Sequence, residues 1–192
     1  MSVFLAVDLD EKARALAAGV IETHRGTVDA VKWLRVDKLH CTVLFLGNPS
    51  AEQVAGWIPS VDELAARHHP FTLRLEGAGT FVTARAPSVL WLGVTGETDA
   101  LGSLHRDAAR SFSSEAREFV PHVTLARARG VGAFSRVVES LREFASAEFK
   151  VHGLSLYESS SEVYRVVHHS RLGLDLVSPL PDPLPLGGEG DR

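Results

Sequence analysis

Apolar and polar positions recur along this chain in two rhythms, every second residue and every third or fourth. The changes of rhythm mark its elements. Val3–Val7 is an unbroken apolar run of strand length. Asp8 and Asp10 follow it and can cap a helix over Glu11–His24, where Ala, Leu, Val and Ile return at helical spacing. Val31–Leu34 and Leu39–Leu46 read as strands, the second stopped by Gly47-Asn48-Pro49. Ser50 with Gln53 forms a capping box for a helix reaching Arg67, and Pro59 inside it predicts a kink or break. Phe71–Leu75, Thr80–Thr83 and Val89–Val94 are three further strands. A helix over Thr98–Phe112 precedes a strand over Phe119–Ala126. Gly130–Gly132 is a turn, Phe134–Phe144 a helix, and Phe149–Tyr157 and Val163–Leu174 are closing strands.

Strands and helices in this order predict an α+β fold. The series "His-strand, helix, strand, strand" occurs twice, opened by His40 and then by His122. That repeat predicts a bilobal, pseudo-twofold duplication. Each lobe would be a mostly antiparallel sheet with helices on its outer face, and a cleft would lie between the lobes. Residues 1–176 then form one domain of two interleaved lobes. Residues 177–192, with alternating Pro179, Pro181, Pro183 and Pro185 before a glycine-rich end, read as a poorly ordered tail.

Composition narrows the function classes. The 192 residues are 45% hydrophobic and 23% charged, the balance of an ordinary globular domain. No apolar run is long enough to span a bilayer, and Met1–Asp10 lacks the basic start of a secretory signal. The single cysteine, Cys41, allows no internal disulfide, so a reduced cytoplasm is expected. The net charge of −4 argues against coating long nucleic acid. It leaves room for handling an end or a short piece.

The chemistry lies in two copies of one triplet, Leu39-His40-Cys41-Thr42-Val43 and Pro121-His122-Val123-Thr124-Leu125. Alternate strand residues share a face, so each copy sets an imidazole beside a hydroxyl, opposite an apolar face. Two such pairs across a cleft provide a base, an acid and hydroxyl donors for phosphate oxygens. Hydrogen-bonded strand histidines are the plainer alternative for His40 and His122, as β-branched strand formers are for Thr42 and Thr124. Strict alternation places Phe45 in the core. It also turns Arg127 away from the cleft unless a bulge or strand end redirects it. Tyr157 is a candidate platform for stacking a base. Lys38, Arg129 and Arg35 read as solvated surface. His68-His69 and His168-His169 complete no zinc site, because adjacent strand residues face opposite ways. Gly77-Ala78-Gly79 lacks the third glycine of a dinucleotide loop, and no Walker sequence is present.

With these motifs the chain resembles the two-histidine phosphoesterase superfamily, and within it the bacterial and archaeal RNA 2′,3′-cyclic phosphodiesterases, also called 2′-5′ RNA ligases. The likeness covers about residues 3–174. It is carried by Phe4-Leu5-Ala6-Val7-Asp8-Leu9, His40-Cys41-Thr42-Val43-Leu44-Phe45-Leu46-Gly47, Val89-Leu90-Trp91-Leu92-Gly93-Val94, Pro121-His122-Val123-Thr124-Leu125-Ala126-Arg127 and Leu154-Ser155-Leu156-Tyr157-Glu158-Ser159. The resemblance implies opening of a 2′,3′-cyclic phosphate to a 2′-phosphomonoester without metal or nucleotide cofactor. The partners it implies are RNA ends or small cyclic nucleotides, with no obligate protein partner and no membrane, for a monomer. His40 and His122 would be catalytic, with Thr42, Thr124 and Arg127 on the phosphate. The division expected is His122 as base and His40 as acid. Two rivals remain: a 2′-5′ ligase using a 5′-hydroxyl in place of water, and a non-catalytic binder of phosphorylated RNA ends. The chain departs from the family pattern at Leu44, where a basic residue often precedes the phenylalanine.

Overall fold

Among the described residues every strand pairs antiparallel, and all belong to one sheet. A computed structural model describes residues 1–82, 88–114, 118–129, 132–160 and 164–173. The strands are β1 (Ser2–Asp8), β2 (Val31–Trp33), β3 (His40–Gly47), β4 (Phe71–Phe81), β5 (Ser88–Gly96), β6 (His122–Ala128), β7 (Phe149–Val151), β8 (Gly153–Ser159) and β9 (Tyr164–Arg171). The helices are α1 (Glu11–His24), α2 (Ala51–Ala66), α3 (Thr98–Ser111) and α4 (Ser135–Ser140). The expected mixed α+β fold is thus present. The tail and Thr83 lie outside the described residues.

The sheet order is β7-β4-β5-β6-β3-β1-β8-β9, with β2 on β6. β3 and β6 meet at one residue pair, Cys41↔Val123, with four strands of the main path on either side. Strands that follow each His-x-Thr strand cross to the other half: β4 and β5 lie beside β6, while β8 and β9 lie beside β1; β7 alone stays in the half of β6, on β4. The helices cover one face, α3 on β3, α2 on β8 and β9, and α4 on β4. Leu5, Leu73, Leu92, Leu104, Leu125 and Leu156 are fully buried between the layers. Burying a leucine contributes about 1.5–3 kcal/mol. No helix among the described residues is long and apolar enough to cross a membrane.

Several expectations change in detail. Asp10 alone caps α1, its carboxylate accepting from the Ala13 amide at 2.7 Å. Helix α2 runs through Pro59 without a break. Pro59 and Ala55, whose carbonyl loses a partner to the ring, are both on the solvent side, where water can replace the bond. The strands expected at Phe71 and Thr80 are one strand, because Gly77 takes a φ of +63° and absorbs a bulge after Glu76. Conversely, Phe149–Tyr157 is two strands: β7 pairs with β4, the chain turns at His152, and β8 pairs with β1. The last helix stops at Ser140.

One close approach is a test of the packing. A Cβ at Gly93 on β5 would lie 2.5 Å from the backbone oxygen of Glu76. Gly93→Ala should therefore destabilise the fold by about 1–3 kcal/mol. An unchanged urea midpoint would refute the contact.

Candidate active site

The two His-x-Thr strands carry the same irregularity at the same place. Ala6 pairs with Thr42 and Leu5 with Leu44, which leaves Val43 as an extra residue. Trp91 pairs with Thr124 and Leu90 with Ala126, which leaves Leu125 as an extra residue. Each bulge follows the threonine directly. Its residue and the next both turn into the core: Val43 and Leu44 on one strand, Leu125 and Ala126 on the other. Outside donors satisfy the bulge carbonyls. The Nδ1–H of His105, on α3, donates to Val43 at 2.8 Å, and the Leu34 amide donates to Leu125 at 2.8 Å.

The bulges restart the alternation one residue late. Phe45 and Arg127 thereby return to the face of the histidines. Phe45 is 62% exposed and lies 5.6 Å from the Phe4 ring, so its expected place in the core is wrong. Arg127 is exposed, reaching that face by the bulge it required.

The rings are held alike. The Nδ1–H of His40 donates to the Lys38 carbonyl at 2.8 Å, and that of His122 to the Val120 carbonyl at 2.7 Å. A carbonyl only accepts, so Nδ1 carries the proton and Nε2 is the nitrogen left for chemistry. The Nε2 of neutral His40 accepts from the Thr42 hydroxyl at 3.0 Å. The antiparallel register around Cys41↔Val123 sets Thr42 beside His122 and His40 beside Thr124. Thr42 and His122 open onto a cavity of about 790 Å³, whose walls include Phe45, Phe81, Phe119 and Val120.

Aromatic packing fixes both imidazoles. Phe4 stacks on His40 at 4.7 Å, and Phe81 and His122 meet edge to face at 4.9 Å. This burial lowers both proton affinities. For His40, burial outweighs the Lys38 carbonyl and the nearby Asp8 charge, and the pKa falls to about 4. For His122, burial lowers the pKa, the Val120 carbonyl opposes the shift, and the Arg127 charge adds to it.

Tyr157 has a different place from the one expected. It is 8% exposed, one face is stacked on Phe4 at 5.2 Å, and its hydroxyl donates to Asp8. No face remains for a base, and Tyr157 instead forms the wall behind His40. Sequence reading missed Asp8, taken there as a capping residue, and His105, which carried no motif. Of the paired histidines, His68 lies 3.1 Å from Asp107 and His168 2.7 Å from Asp62. Among the described residues no three His, Cys, Asp or Glu side chains converge as a metal site.

Known proteins share this framework. Residues 11–162 match the family model described as the 2′-5′ RNA ligase superfamily. The chain is 32% identical over 167 residues to a Geobacillus stearothermophilus protein named RNA 2′,3′-cyclic phosphodiesterase, covering 83% of this chain and 52% of that one. The chain thus spans about half the length of that relative. Proteins of the same name from Aquifex aeolicus and Escherichia coli are 29% and 36% identical. Those alignments cover 74% and 65% of this chain, and 82% and 70% of the relatives. Among solved structures, Thermus thermophilus TT0787 superposes with a TM-score of 0.69 at 25% identity, covering 90% of this chain and 98% of that one. Escherichia coli LigT complexed with 3′-AMP gives 0.68 at the same identity and coverage.

Proposed function

Since the chain belongs to the 2′-5′ RNA ligase superfamily, we propose that it is an RNA 2′,3′-cyclic phosphodiesterase that hydrolyses a 2′,3′-cyclic phosphate end to a 2′-phosphomonoester. One observation carries this reading: two imidazoles on adjacent strands, each with Nδ1–H locked to the carbonyl two residues earlier, each beside a threonine hydroxyl. The relatives of that name supply the substrate class.

The step needs two proton transfers and support for one anionic phosphorus centre. The Nε2 of His122 takes a proton from water as its oxygen bonds to phosphorus. The bond from phosphorus to O3′ breaks, and His40 gives O3′ a proton. The phosphate stays on O2′. Thr42 and Thr124 donate to the non-bridging oxygens, and exposed Arg127 meets their charge. In the free protein burial keeps His40 neutral down to about pH 4, so the bound phosphate anion must help hold the proton that this ring gives.

The family description also supports a second nucleophile. A 5′-hydroxyl in the place of water would give a 2′-5′ linkage by the same proton transfers. Incubation with 2′,3′-cyclic AMP and with RNA ending in a cyclic phosphate, followed by assignment of the product phosphate, tests both. The expected product is a 2′-phosphate in each case, formed at an unchanged rate with EDTA. Joined RNA after addition of a 5′-hydroxyl fragment would establish the ligase. Binding of both substrates with turnover of neither would make the chain a sensor of RNA ends and overturn the enzyme reading.

A further inference from the structure

We propose that Asp8 is a positioning residue for His40, a fixed carboxylate on the neighbouring strand that favours the protonated ring once a phosphate is bound and so makes it the acid of the pair. This rests on the phosphodiesterase reading above. Asp8 is the register partner of His40 across the β1–β3 ladder. It shares a face with Ala6 and with Phe4, the ring stacked on His40. It takes no part in capping α1, since Asp10 performs that task.

Both carboxylate oxygens are held by neutral donors. Tyr157 donates its hydroxyl to Oδ1, and Ser155 donates to Oδ2 at 2.7 Å. Having spent its one proton on Asp8, Ser155 accepts from the Nδ1–H of His169 at 2.9 Å. A directed chain therefore runs from exposed His169 through buried Ser155 to Asp8. Two hydroxyls orient the carboxylate and leave its charge uncancelled. Among the described residues no lysine or arginine forms an ion pair with it.

The other groups around His40 show why such a charge matters. From α1, Arg14 binds the Leu39 carbonyl at 2.8 Å, and its charge disfavours the imidazolium. His122 on β6 does the same. Lys38 lies in the turn before β3, with its ammonium 4.7 Å from the Tyr164 ring centre. Tyr157 on β8 and Tyr164 on β9 pack at 5.7 Å and add burial. Against these stand the Lys38 carbonyl and Asp8, the anion whose charge favours protonated His40.

The test compares wild type with Asp8→Asn, Asp8→Ser and Asp8→Glu on two substrates. One is 2′,3′-cyclic AMP, whose leaving oxygen needs a proton. The other is a p-nitrophenyl phosphodiester, whose leaving group does not. Both neutral variants should lose about 10–100-fold in kcat on the cyclic nucleotide. Their KM should stay within threefold, and their loss on the p-nitrophenyl ester should be under threefold. Asp8→Glu should recover most of the activity. Equal losses on both substrates would overturn the proposal. A second readout does not depend on turnover: in NMR titration of the free protein, His40 should titrate at lower pH in the neutral variants than in wild type. An unchanged His40 titration in a folded neutral variant would also overturn it. If wild type turned over neither substrate, the function reading would fail, and the titration would still decide the coupling of Asp8 to His40.

Discussion

Replacing either His40 or His122 with alanine should lower kcat/KM for 2′,3′-cyclic AMP by about 10²–10⁴-fold, the usual worth of one positioned acid or base. In the proposed step each ring serves one of the two proton transfers. The other ring, both threonines and Arg127 remain in each single variant, so the loss should fall mainly in kcat. The double variant should be only slightly slower than the worse single one, because groups that act in one step are not additive. Steady-state hydrolysis with thermal melting as a folding control measures this. Activity within tenfold of wild type in either folded variant would remove that ring from the chemistry.

Acid should weaken the fold through the same residue. The unfolded chain binds a proton at an ordinary histidine near pH 6.5, whereas folded His40 resists until about 4. The unfolded state therefore holds more protons between these values. This contribution is complete above pH 6.5 and is lost as pH falls toward 4. The gap corresponds to about 3 kcal/mol, at 1.36 kcal/mol per pH unit. Urea midpoints of wild type and His40→Gln, measured from pH 7 to 4, isolate it. Wild type should lose about 3 kcal/mol more than the variant across that range. Parallel curves would show that His40 is not held neutral by its surroundings.

The face proposed for the chemistry was readable because period-two alternation is a local property. His40 with Thr42, and His122 with Thr124, needed only strand geometry, and the caps at Asp10 and Ser50 needed only short-range chemistry. Bulges leave no comparable trace. Val43 and Leu125 look like ordinary apolar strand residues, yet each shifts the rest of its strand by one position. That shift carried Phe45 into the cleft against expectation. The choice of partner strand was equally hidden. Apolar spacing continues through Val151-His152-Gly153 and gives no sign that the chain leaves β4 for β1 there. Tyr157 illustrates both limits. Its aromatic ring suggested a base platform, but β8 seats it behind Phe4, on a carboxylate about 150 positions away in sequence.

β1 lies between β3 and β8, and Val3 pairs with Glu158. During synthesis from the N terminus, both His-x-Thr segments leave the ribosome while one edge of β1 still has no neighbour. The residues that support Asp8 are among the last strands to be translated. A nascent chain that already holds both imidazoles therefore lacks the wall that orders one of them. Order at the His40 ring thus arrives with closure of the sheet by β8 and not with the motifs alone.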